Sequence, residues 1–366
     1  MIDACDACLR RGFLVAHLAP RIAGLLHSAG RRAPGLLGLP EQELVVAVAG
    51  RRAEQAMTFL ECFDAERARE RLAARSVLAL CRHGEAYPPL LLELGDPPAV
   101  LFGLGRTEAL AALRDEPAVA LVGTRRASPY GTEVAYALGR GLGAAGVPVV
   151  SGLALGIDST AHRGCLDGGG LPVAVLAGGP DVVYPRRHRQ LHERIRGAGM
   201  VMSELPPGTE PFRWSFPARN RIMAGLARMT LVVEAAQPSG SLITSEFAKD
   251  LGRSVAAVPG RVTSAIASGA NNLLRDGAIP ITGARDVLDE LFGVGVRDVP
   301  PLATAPPRPQ DPVLRSVLEA AERSSSVEEI ARAAGLSTGE ARTALGRLET
   351  DGHLKRLELG GWEPVL

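Results

Sequence analysis

The chain contains almost no lysine: of its 41 basic residues, only Lys249 and Lys355 are lysines. It also lacks an excess of one charge, because 40 acidic residues leave a net charge of +1. A domain that attracts nucleic acid over its whole surface usually carries a clear basic excess. Any site for an anion must therefore come from a local concentration of arginine.

Long apolar runs and a disulfide framework are missing as well. No segment reaches the roughly 18 uninterrupted apolar residues of a membrane-spanning helix. The five cysteines are odd in number and scattered, which indicates a reducing compartment. Cys5-x-x-Cys8 has no second pair at zinc spacing, so we expect no metal there. The sequence thus predicts a soluble, cytosolic protein.

The motifs of several enzyme classes are also absent from the sequence. It has no Walker-type Gly-x4-Gly-Lys-Ser/Thr, no His-Glu-x-x-His and no Gly-x-Ser-x-Gly. Residues 141–146 match the dinucleotide fingerprint Gly-x-Gly-x-x-Gly, but they end a predicted helix and precede a strand. The fingerprint requires the reverse order, strand before helix. We therefore expect no catalytic residue and no cofactor.

The patterns that are present divide the chain into four parts. Residues 1–76 have helical spacing and predict a small helical module. Residues 77–295 contain short apolar strands that alternate with amphipathic helices, which predicts a doubly wound, mostly parallel α/β sheet. The candidate strands are 119–122, 147–150, 173–177, 200–202, 231–234, 255–258 and 279–281. A proline-rich linker, 296–312, leads to residues 313–366, whose three helices and ribbon predict a winged helix.

The third helix of this winged helix carries Arg342 and Arg347, but also Glu340, Glu349 and Asp351. Because the charges are balanced, weak contact with DNA and contact with protein are equally open.

Polar residues are concentrated in the loops that follow the strands. Gly123, Thr124, Arg125 and Arg126 follow the first core strand with two guanidinium groups and no carboxylate, and Gly152 follows the second. Ligands of open α/β sheets bind at such strand ends, so we expect an anion, a phosphate. Ser239, Gly240 and Ser241 open a later helix, where they form a phosphate cradle or simply a cap. Lys249 on that helix faces either the same ligand or solvent.

A second group of basic residues lies between 212 and 221. Arg213, Arg219 and Arg221 are interleaved with three aromatic residues, a combination that suits single-stranded nucleic acid, although a structural arginine cluster is the alternative. Asp158 and His162, four apart on one helix, are expected to brace a loop rather than to act in acid–base catalysis. Glu234, at the end of a strand, is assigned the same bracing role.

Together these loops resemble the DNA-processing protein A (DprA, Smf) family. The matching segments lie in one order between about residues 87 and 292. They are Val122-Gly123-Thr124-Arg125, Ser151-Gly152-Leu153-Ala154-Leu155-Gly156-Ile157-Asp158, Gly179-Pro180-Asp181-Val182-Val183-Tyr184-Pro185, Ser203-Glu204-Leu205-Pro206, Phe216-Pro217-Ala218-Arg219-Asn220-Arg221, Ser239-Gly240-Ser241-Leu242-Ile243-Thr244 and Gly269-Ala270-Asn271-Asn272.

The resemblance implies an extended Rossmann-like domain that binds single-stranded DNA, between a sterile-alpha-motif-like domain and a winged helix. It also implies a homodimer formed through the Rossmann-like domain, protection of incoming DNA in natural transformation, and loading of a RecA-type recombinase. Because the sequence offers no plausible nucleophile–base pair, we expect that the chain is not an enzyme.

The resemblance also implies roles for individual residues. Arg125 would bind phosphate, while Arg213 and Phe216 would supply a charge and a stacking ring. The remaining wall residues are implied to be Arg219, Asn220, Arg221, Ser239, Gly240, Ser241 and Lys249. The chain departs from the family at Leu155, usually Arg, and at His188, usually Asn, so one phosphate contact is expected to be weakened or reshaped.

Two other functions are compatible with parts of the sequence. A nucleotide-processing hydrolase of the phosphoribohydrolase type has a similar fold, but its Pro-Gly-Gly-x-Gly-Thr phosphate loop is poorly matched by Gly178-Gly179-Pro180-Asp181. A transcription regulator would use the winged helix to recognise duplex sequence, and the mixed charge of that domain is unfavourable for it.

Overall fold

The computed structural model describes residues 4–29, 34–50, 53–300, 309–322, 324–356 and 361–364. The chain divides into two compact units, Met1–Pro300 and Pro301–Leu366. Among the described residues, none belongs to a helix that is both long enough and apolar enough to cross a membrane.

A nine-stranded sheet forms the centre of the first unit. Its strands are β1 Leu78–Cys81, β2 Val100–Gly105, β3 Val119–Val122, β4 Val149–Ser151, β5 Pro172–Val175, β6 Met200–Ser203, β7 Met229–Val232, β8 Ser254–Ala257 and β9 Ile279–Pro280. They lie in the order β1-β2-β6-β5-β4-β3-β7-β8-β9. Every residue of β3 to β7 is buried, as expected for strands covered on both faces. The predicted doubly wound, mostly parallel sheet is confirmed.

One edge of the sheet is antiparallel. Strand β2 pairs antiparallel with both β1 and β6, whereas the strands from β6 to β9 pair in parallel. The predicted strands begin only at residue 119. Strands β1 and β2 were not predicted, because Pro97 and Pro98 interrupt the pattern just before β2 begins.

Helices cover both faces of this sheet. They are α1 Asp6–Ala29, α2 Pro34–Leu37, α3 Glu41–Ala49, α4 Ala53–Glu61, α5 Ala65–Ala74, α6 Thr107–Asp115, α7 Pro129–Ala144, α8 Ile157–Asp167, α9 Arg189–Ala198, α10 Ser215–Leu226, α11 Gly240–Asp250, α12 Ser268–Arg275 and α13 Ala284–Phe292. Asp64 separates α4 from α5, because its side chain accepts a hydrogen bond from the Arg67 N–H and so caps α5.

The N-terminal helices share their core with the sheet. Leu14, Leu18 and Ile22 of α1 pack in a cluster that includes Trp214, while Cys8 and Leu9 pack against β1 and β2. Because residues 1–76 and the sheet belong to one compact unit, the predicted domain boundary at residue 76 stays a prediction. The expected similarity of residues 1–76 to a sterile alpha motif also stays a prediction.

Helices α7 and α8 are in very close contact, and glycines make this possible. A Cβ atom at Gly139 would overlap the carbonyl oxygen of Ala161, and one at Gly164 would overlap that of Tyr136. Gly143, from the fingerprint-like stretch, faces the backbone of Cys165 in the same way. The last glycine of that stretch, Gly146, has a φ of 75° in the turn after α7. The stretch thus serves helix packing and a turn, as its misplaced context indicated.

The second unit contains helices α14 Pro312–Ala321, α15 Val327–Ala334 and α16 Thr338–Thr350, followed by strands β10 Leu354–Arg356 and β11 Trp362–Pro364, which pair antiparallel. The predicted winged helix is confirmed. Arg342 and Arg347 on α16 are exposed. Residues 301–308 of the predicted proline-rich linker lie outside the described residues.

Replacing Gly139 with alanine is expected to destabilise the protein by about 1–3 kcal/mol, because the new methyl group overlaps backbone of α8. Gly197→Ala, at an open position in α9, is the matched control and is expected to be neutral or to stabilise by up to about 1 kcal/mol. Urea unfolding of both variants measures the difference, and equal stabilities would contradict the tight α7–α8 contact.

Candidate functional site

A cleft lies at the point in the sheet where the strand order reverses, next to β3. From β3 the chain adds β4, β5 and β6 on one side and later β7, β8 and β9 on the other. The loops after β3, β4 and β7 therefore meet at the carboxyl edge, the usual binding position in such sheets. The cleft has a volume of about 340 Å³. Nine of the predicted binding residues line it: Gly123, Thr124, Arg125, Phe216, Arg219, Asn220, Ser239, Gly240 and Ser241.

The exposed rim of the cleft combines a cation with aromatic rings. The guanidinium carbon of Arg125 lies 5.2 Å from the centroid of the Phe216 ring, within the range of a cation–π contact. The ring of Tyr184 lies 5.6 Å from that of Phe216, and Tyr184 is half exposed. Leu155 and Gly152 line a smaller adjoining cavity with these residues. The rim thus offers a charge next to flat apolar surface, and Leu155 adds to the apolar part.

A buried arginine forms the floor of the cleft. Arg219 donates a hydrogen bond of 2.7 Å to the carbonyl oxygen of Val175, and its guanidinium lies so close to Gly152 that any side chain there would overlap it. Its Nε has no partner among the described residues. Burial lowers the pKa of Arg219 to about 10, the charge of Asp158 opposes this shift, and that of Arg125 adds to it. Arg219 is therefore charged at neutral pH and incompletely paired.

The opposite side of the cleft is the amino terminus of α11. The Ser239 side chain caps this helix by accepting from the Ser241 N–H, so the predicted cap is observed. Asn220 donates to the carbonyl oxygen of Gly240 and ties α10 to this turn. The hydroxyl of Thr244, fully buried one turn later, has no partner within the described chain. Positive helix-end charge and an unused hydroxyl thus face the same cleft that Arg219 lines.

Two carboxylates brace the loops around the cleft. Glu234 is buried and accepts hydrogen bonds of 2.8 Å from both the N–H and the hydroxyl of Ser128, at the start of α7. Asp158 accepts from the Gly152 N–H at 3.2 Å, and burial raises its pKa, against the effect of Arg219. Both contacts fit the bracing role assigned from the sequence.

His162 does not form the expected pair with Asp158. It is fully buried, and neither ring nitrogen has a partner of good geometry among the described residues. Burial lowers its pKa to about 3. His188, a departure from the family, is also buried and its Nδ1 lies 3.0 Å from the carbonyl oxygen of Leu153. Both imidazoles therefore belong to the interior under the cleft.

Five predicted binding residues lie outside the described lining of the cleft, and one of them, Gly152, lines the smaller adjoining cavity. Arg126 and Arg213 are exposed next to the cleft, and Lys249 is exposed about 13 Å along α11 from the capped end. Arg221 is only 1% exposed and forms ion pairs with Asp96 at 3.0 Å and with Glu204 at 2.9 Å. Its assignment to the wall of a binding site is corrected, because both carboxylates already neutralise it inside the protein.

From Ser215 onward, the segment 212–221 belongs to helix α10 and is not the loop that the sequence suggested. Most of α10 is buried, and Trp214 before it donates a hydrogen bond to the carbonyl oxygen of Ala19 in α1. Phe212 packs in the same cluster. Of the three aromatic residues in 212–221, Phe216 alone lines the cleft in the described structure. Tyr184 and Thr244 were missed as site residues, although each lies in a segment that resembles the family.

A second polar cluster lies at the antiparallel edge of the sheet. The ligand atoms of Cys5, Cys8, Cys81 and His83 all lie within 4.8 Å of one another. The expectation that Cys5-x-x-Cys8 has no partners for a metal is therefore wrong. The partners come from the end of β1, 78 positions from Cys5 in the case of His83, and local spacing does not reveal them.

Comparison with known families and proteins agrees with this architecture. Residues 79–292 match the family model of DNA recombination-mediator protein A, and residues 301–358 match that of the DprA winged helix domain. The chain is 36% identical over 284 residues to protein Smf of Escherichia coli, which covers 76% of this chain and 72% of that protein. It is 42% identical over 206 residues to the DNA processing protein DprA of Streptococcus pneumoniae, covering 56% and 71%.

Solved structures show the same relationship. The X-ray structure of DNA processing protein A from Streptococcus pneumoniae superposes with a TM-score of 0.62 at 32% identity, covering 78% of this chain and 96% of that chain. A structure of DNA processing protein A from Helicobacter pylori, described for its single-stranded DNA binding mode, gives a TM-score of 0.52 at 29% identity, with 59% and 95% covered.

Arg221→Met is expected to lower the free energy of unfolding by about 3–5 kcal/mol, because it leaves Asp96 and Glu204 without their buried partner. Arg213→Met, on the same segment but exposed, is the control and is expected to change stability by less than about 0.5 kcal/mol. Denaturant unfolding compares the two, and a small loss for Arg221→Met would show that its ion pairs are dispensable.

Acid is expected to destabilise the protein through His162. The unfolded imidazole binds a proton below its ordinary pKa of 6.5, whereas the folded one remains neutral down to about 3, so stability is complete above pH 6.5 and falls as the pH drops. Between pH 6 and pH 5, the free energy of unfolding of a His162→Asn variant should fall by about 1 kcal/mol less than that of the unsubstituted protein. Urea unfolding at both values tests this, and parallel losses would refute the neutral burial of His162.

Proposed function

The chain belongs to the DNA recombination-mediator protein A family, and on this basis we propose that it is a single-stranded DNA-binding protein of DNA processing. We place the binding site in the cleft between the loops after β3, β4 and β7. The contact of Arg125 with the face of Phe216, beside the capped amino terminus of α11, is the observation that carries this proposal.

The cleft suits a strand whose bases are not paired. Arg125 supplies a charge for a backbone phosphate, and Phe216 and Tyr184 supply faces on which bases stack. Stacking of this kind is worth about 1–3 kcal/mol per base and is accessible only in a single strand. A duplex keeps its bases stacked on each other, so the aromatic rim would go unused. The arrangement therefore favours single-stranded over duplex DNA.

The deeper part of the cleft adds electrostatic attraction. Arg219 has an unpartnered Nε and a pKa that burial lowers, and an incoming phosphate would compensate that burial. The Ser241 end of α11 and the Thr244 hydroxyl lie across the cleft from it. Asp158 also lines the cleft, but it is buried beside Arg219, whose positive charge acts against that of the carboxylate. The balance of charge favours an anion.

The wider role follows the family resemblance. We propose that the protein acts in the cytosol, protects incoming single strands in natural transformation and delivers them to a RecA-type recombinase, as a homodimer formed through the Rossmann-like unit. The winged helix, with exposed Arg342 and Arg347 among acidic residues, contacts either DNA or protein. We assign it no catalytic role.

The geometry gives no support to a hydrolase that uses Glu234 as its acid or base. Both carboxylate oxygens accept hydrogen bonds from Ser128, and Glu234 is not among the described residues that line the cleft. Release of free base from a nucleoside monophosphate, abolished in Glu234→Gln, would be required to revive that function.

Arg125→Ala is expected to weaken single-stranded DNA binding by about 5- to 30-fold, since one charge-assisted phosphate contact and its contact with Phe216 are lost. The slope of log affinity against log salt should also fall by about 0.7. Arg126→Ala removes the next charge in the sequence, which is also exposed but lies outside the described cleft lining, and is the matched control. Fluorescence anisotropy with a labelled oligonucleotide at several salt concentrations measures both effects.

The outcome that contradicts this site is unchanged binding of Arg125→Ala at moderate salt, or an equal loss in Arg126→Ala. Phe216→Ala offers a separate check on stacking. It is expected to cost about 1–3 kcal/mol of binding free energy with little change in the salt slope, because an aromatic ring carries no charge.

A further inference from the structure

Four side chains with metal-binding atoms converge at the sheet edge, far from the cleft. Cys5 and Cys8 lie at the amino terminus of α1, where Cys5 precedes the first turn and its carbonyl oxygen accepts from the Leu9 N–H. Cys81 ends β1, and His83 follows two residues later. Two segments that are distant in sequence thus present two ligands each. Such convergence is typical of structural zinc sites, in which pairs of ligands come from two separate loops or turns.

The distances within the cluster agree with one central ion. A tetrahedral zinc with Zn–S bonds of about 2.3 Å and Zn–N bonds of about 2.0–2.1 Å places sulfur and nitrogen about 3.5–3.6 Å apart. The Sγ atoms of Cys5 and Cys8 lie 3.6 Å and 3.4 Å from Nδ1 of His83. All four ligand atoms, including Sγ of Cys81, lie within 4.8 Å of one another.

Pairwise hydrogen bonding explains this cluster less well. A neutral imidazole has one nitrogen lone pair in the ring plane and accepts one hydrogen bond there. Two thiols nevertheless lie at nearly the same distance from a single nitrogen, and a third thiol is beside them. One metal ion at the centre of the cluster would bond to all four atoms at the same time. None of the three cysteines is in a disulfide bond.

We propose that Cys5, Cys8, Cys81 and His83 bind one Zn²⁺ ion through three thiolates and Nδ1 of the imidazole. Three sulfur ligands and one nitrogen ligand form one of the closed coordination sets of structural zinc. With four protein ligands, no position is left for water or substrate, so the role of the ion is structural. Cys5 and His83 are exposed and Cys8 and Cys81 are buried, which places the ion at the surface of the core cluster that joins α1 to β1 and β2.

The zinc would attach the first helix to the edge of the sheet. Among the described strands, β1 lies at the edge of the sheet with β2 as its one neighbour, and α1 contacts both strands through the cluster that contains Cys8, Leu9 and Phe102. Four strand positions separate β1 from β4, a distance of about 19 Å. The proposal therefore stands independently of the proposed DNA-binding function, and either can fail without the other.

The first test is the metal content of the full-length protein, purified with reductant and without added chelator. Inductively coupled plasma mass spectrometry is expected to find about one zinc ion per chain. Cys5→Ser and His83→Asn remove exposed ligands, so they spare the packed core, and should retain well under half of that zinc. Cys62→Ser is the control, because Cys62 is an exposed free cysteine outside the cluster, and it should retain all of it.

A second measurement does not depend on what the cell supplied. Metal-free protein, reduced and titrated with Co²⁺, should develop the visible absorption of tetrahedral cobalt with thiolate charge-transfer bands, saturating at one equivalent, and Zn²⁺ should displace it. Cys5→Ser should weaken these bands and Cys62→Ser should leave them unchanged. Removal of zinc by a chelator should lower the melting temperature of the unsubstituted protein and leave that of His83→Asn unaffected.

Three results would overturn the proposal. They are reduced protein that takes up neither zinc nor cobalt, a different metal retained in place of zinc, and equal loss of zinc from Cys5→Ser and Cys62→Ser. Binding of single-stranded DNA, measured on the same samples, separates this question from the proposed function, since it is expected to change less than about twofold in Cys5→Ser.

Discussion

The candidate site depends on how two arginines of one buried helix are neutralised. Helix α10 places Arg221 between Asp96 and Glu204, where two carboxylates satisfy its charge. Two residues earlier, Arg219 lies against Gly152, and among the described residues it donates to the carbonyl oxygen of Val175, interacts with the charge of Asp158 and leaves its Nε without a partner. Burying a cation is tolerable only when it is paired. The helix therefore holds one arginine as a structural element and leaves the other with capacity for an anion.

The sequence was sufficient for the parallel part of the sheet and, together with the family resemblance, for most of the cleft. Buried parallel strands appear in the sequence as unbroken apolar runs, and the loops that follow them lie at one edge of the sheet. The family resemblance implied that Arg125 and Ser239 line one site there, and both line the cleft. The sequence could not show that Arg221 is ion-paired inside the protein whereas Arg219 lines the cleft. The partners of Arg221 lie 125 and 17 positions away, and only the fold shows which carboxylates are near.

The cysteine cluster was also missed because its members are distant from one another in the sequence. Cys5-x-x-Cys8 was judged by local spacing, but its partners Cys81 and His83 reach it only because α1 packs beside the antiparallel strand β1. That strand was itself unpredicted. Tyr184 was also missed, although its loop was identified as similar to the family. Its position next to Phe216 depends on the path of the chain after β5, which the sequence does not show.

The glycine contacts between α7 and α8 have a mechanical consequence for the cleft. Because backbone meets backbone there, the two helices and the loops that precede them must move as one body. Glu234 adds the strand end after β7 to that body through Ser128. The side that carries Arg125 is thus preorganised. On the other side, α10 packs against α11 and Asn220 donates to the Gly240 carbonyl oxygen, so the width of the cleft is largely set before a strand binds.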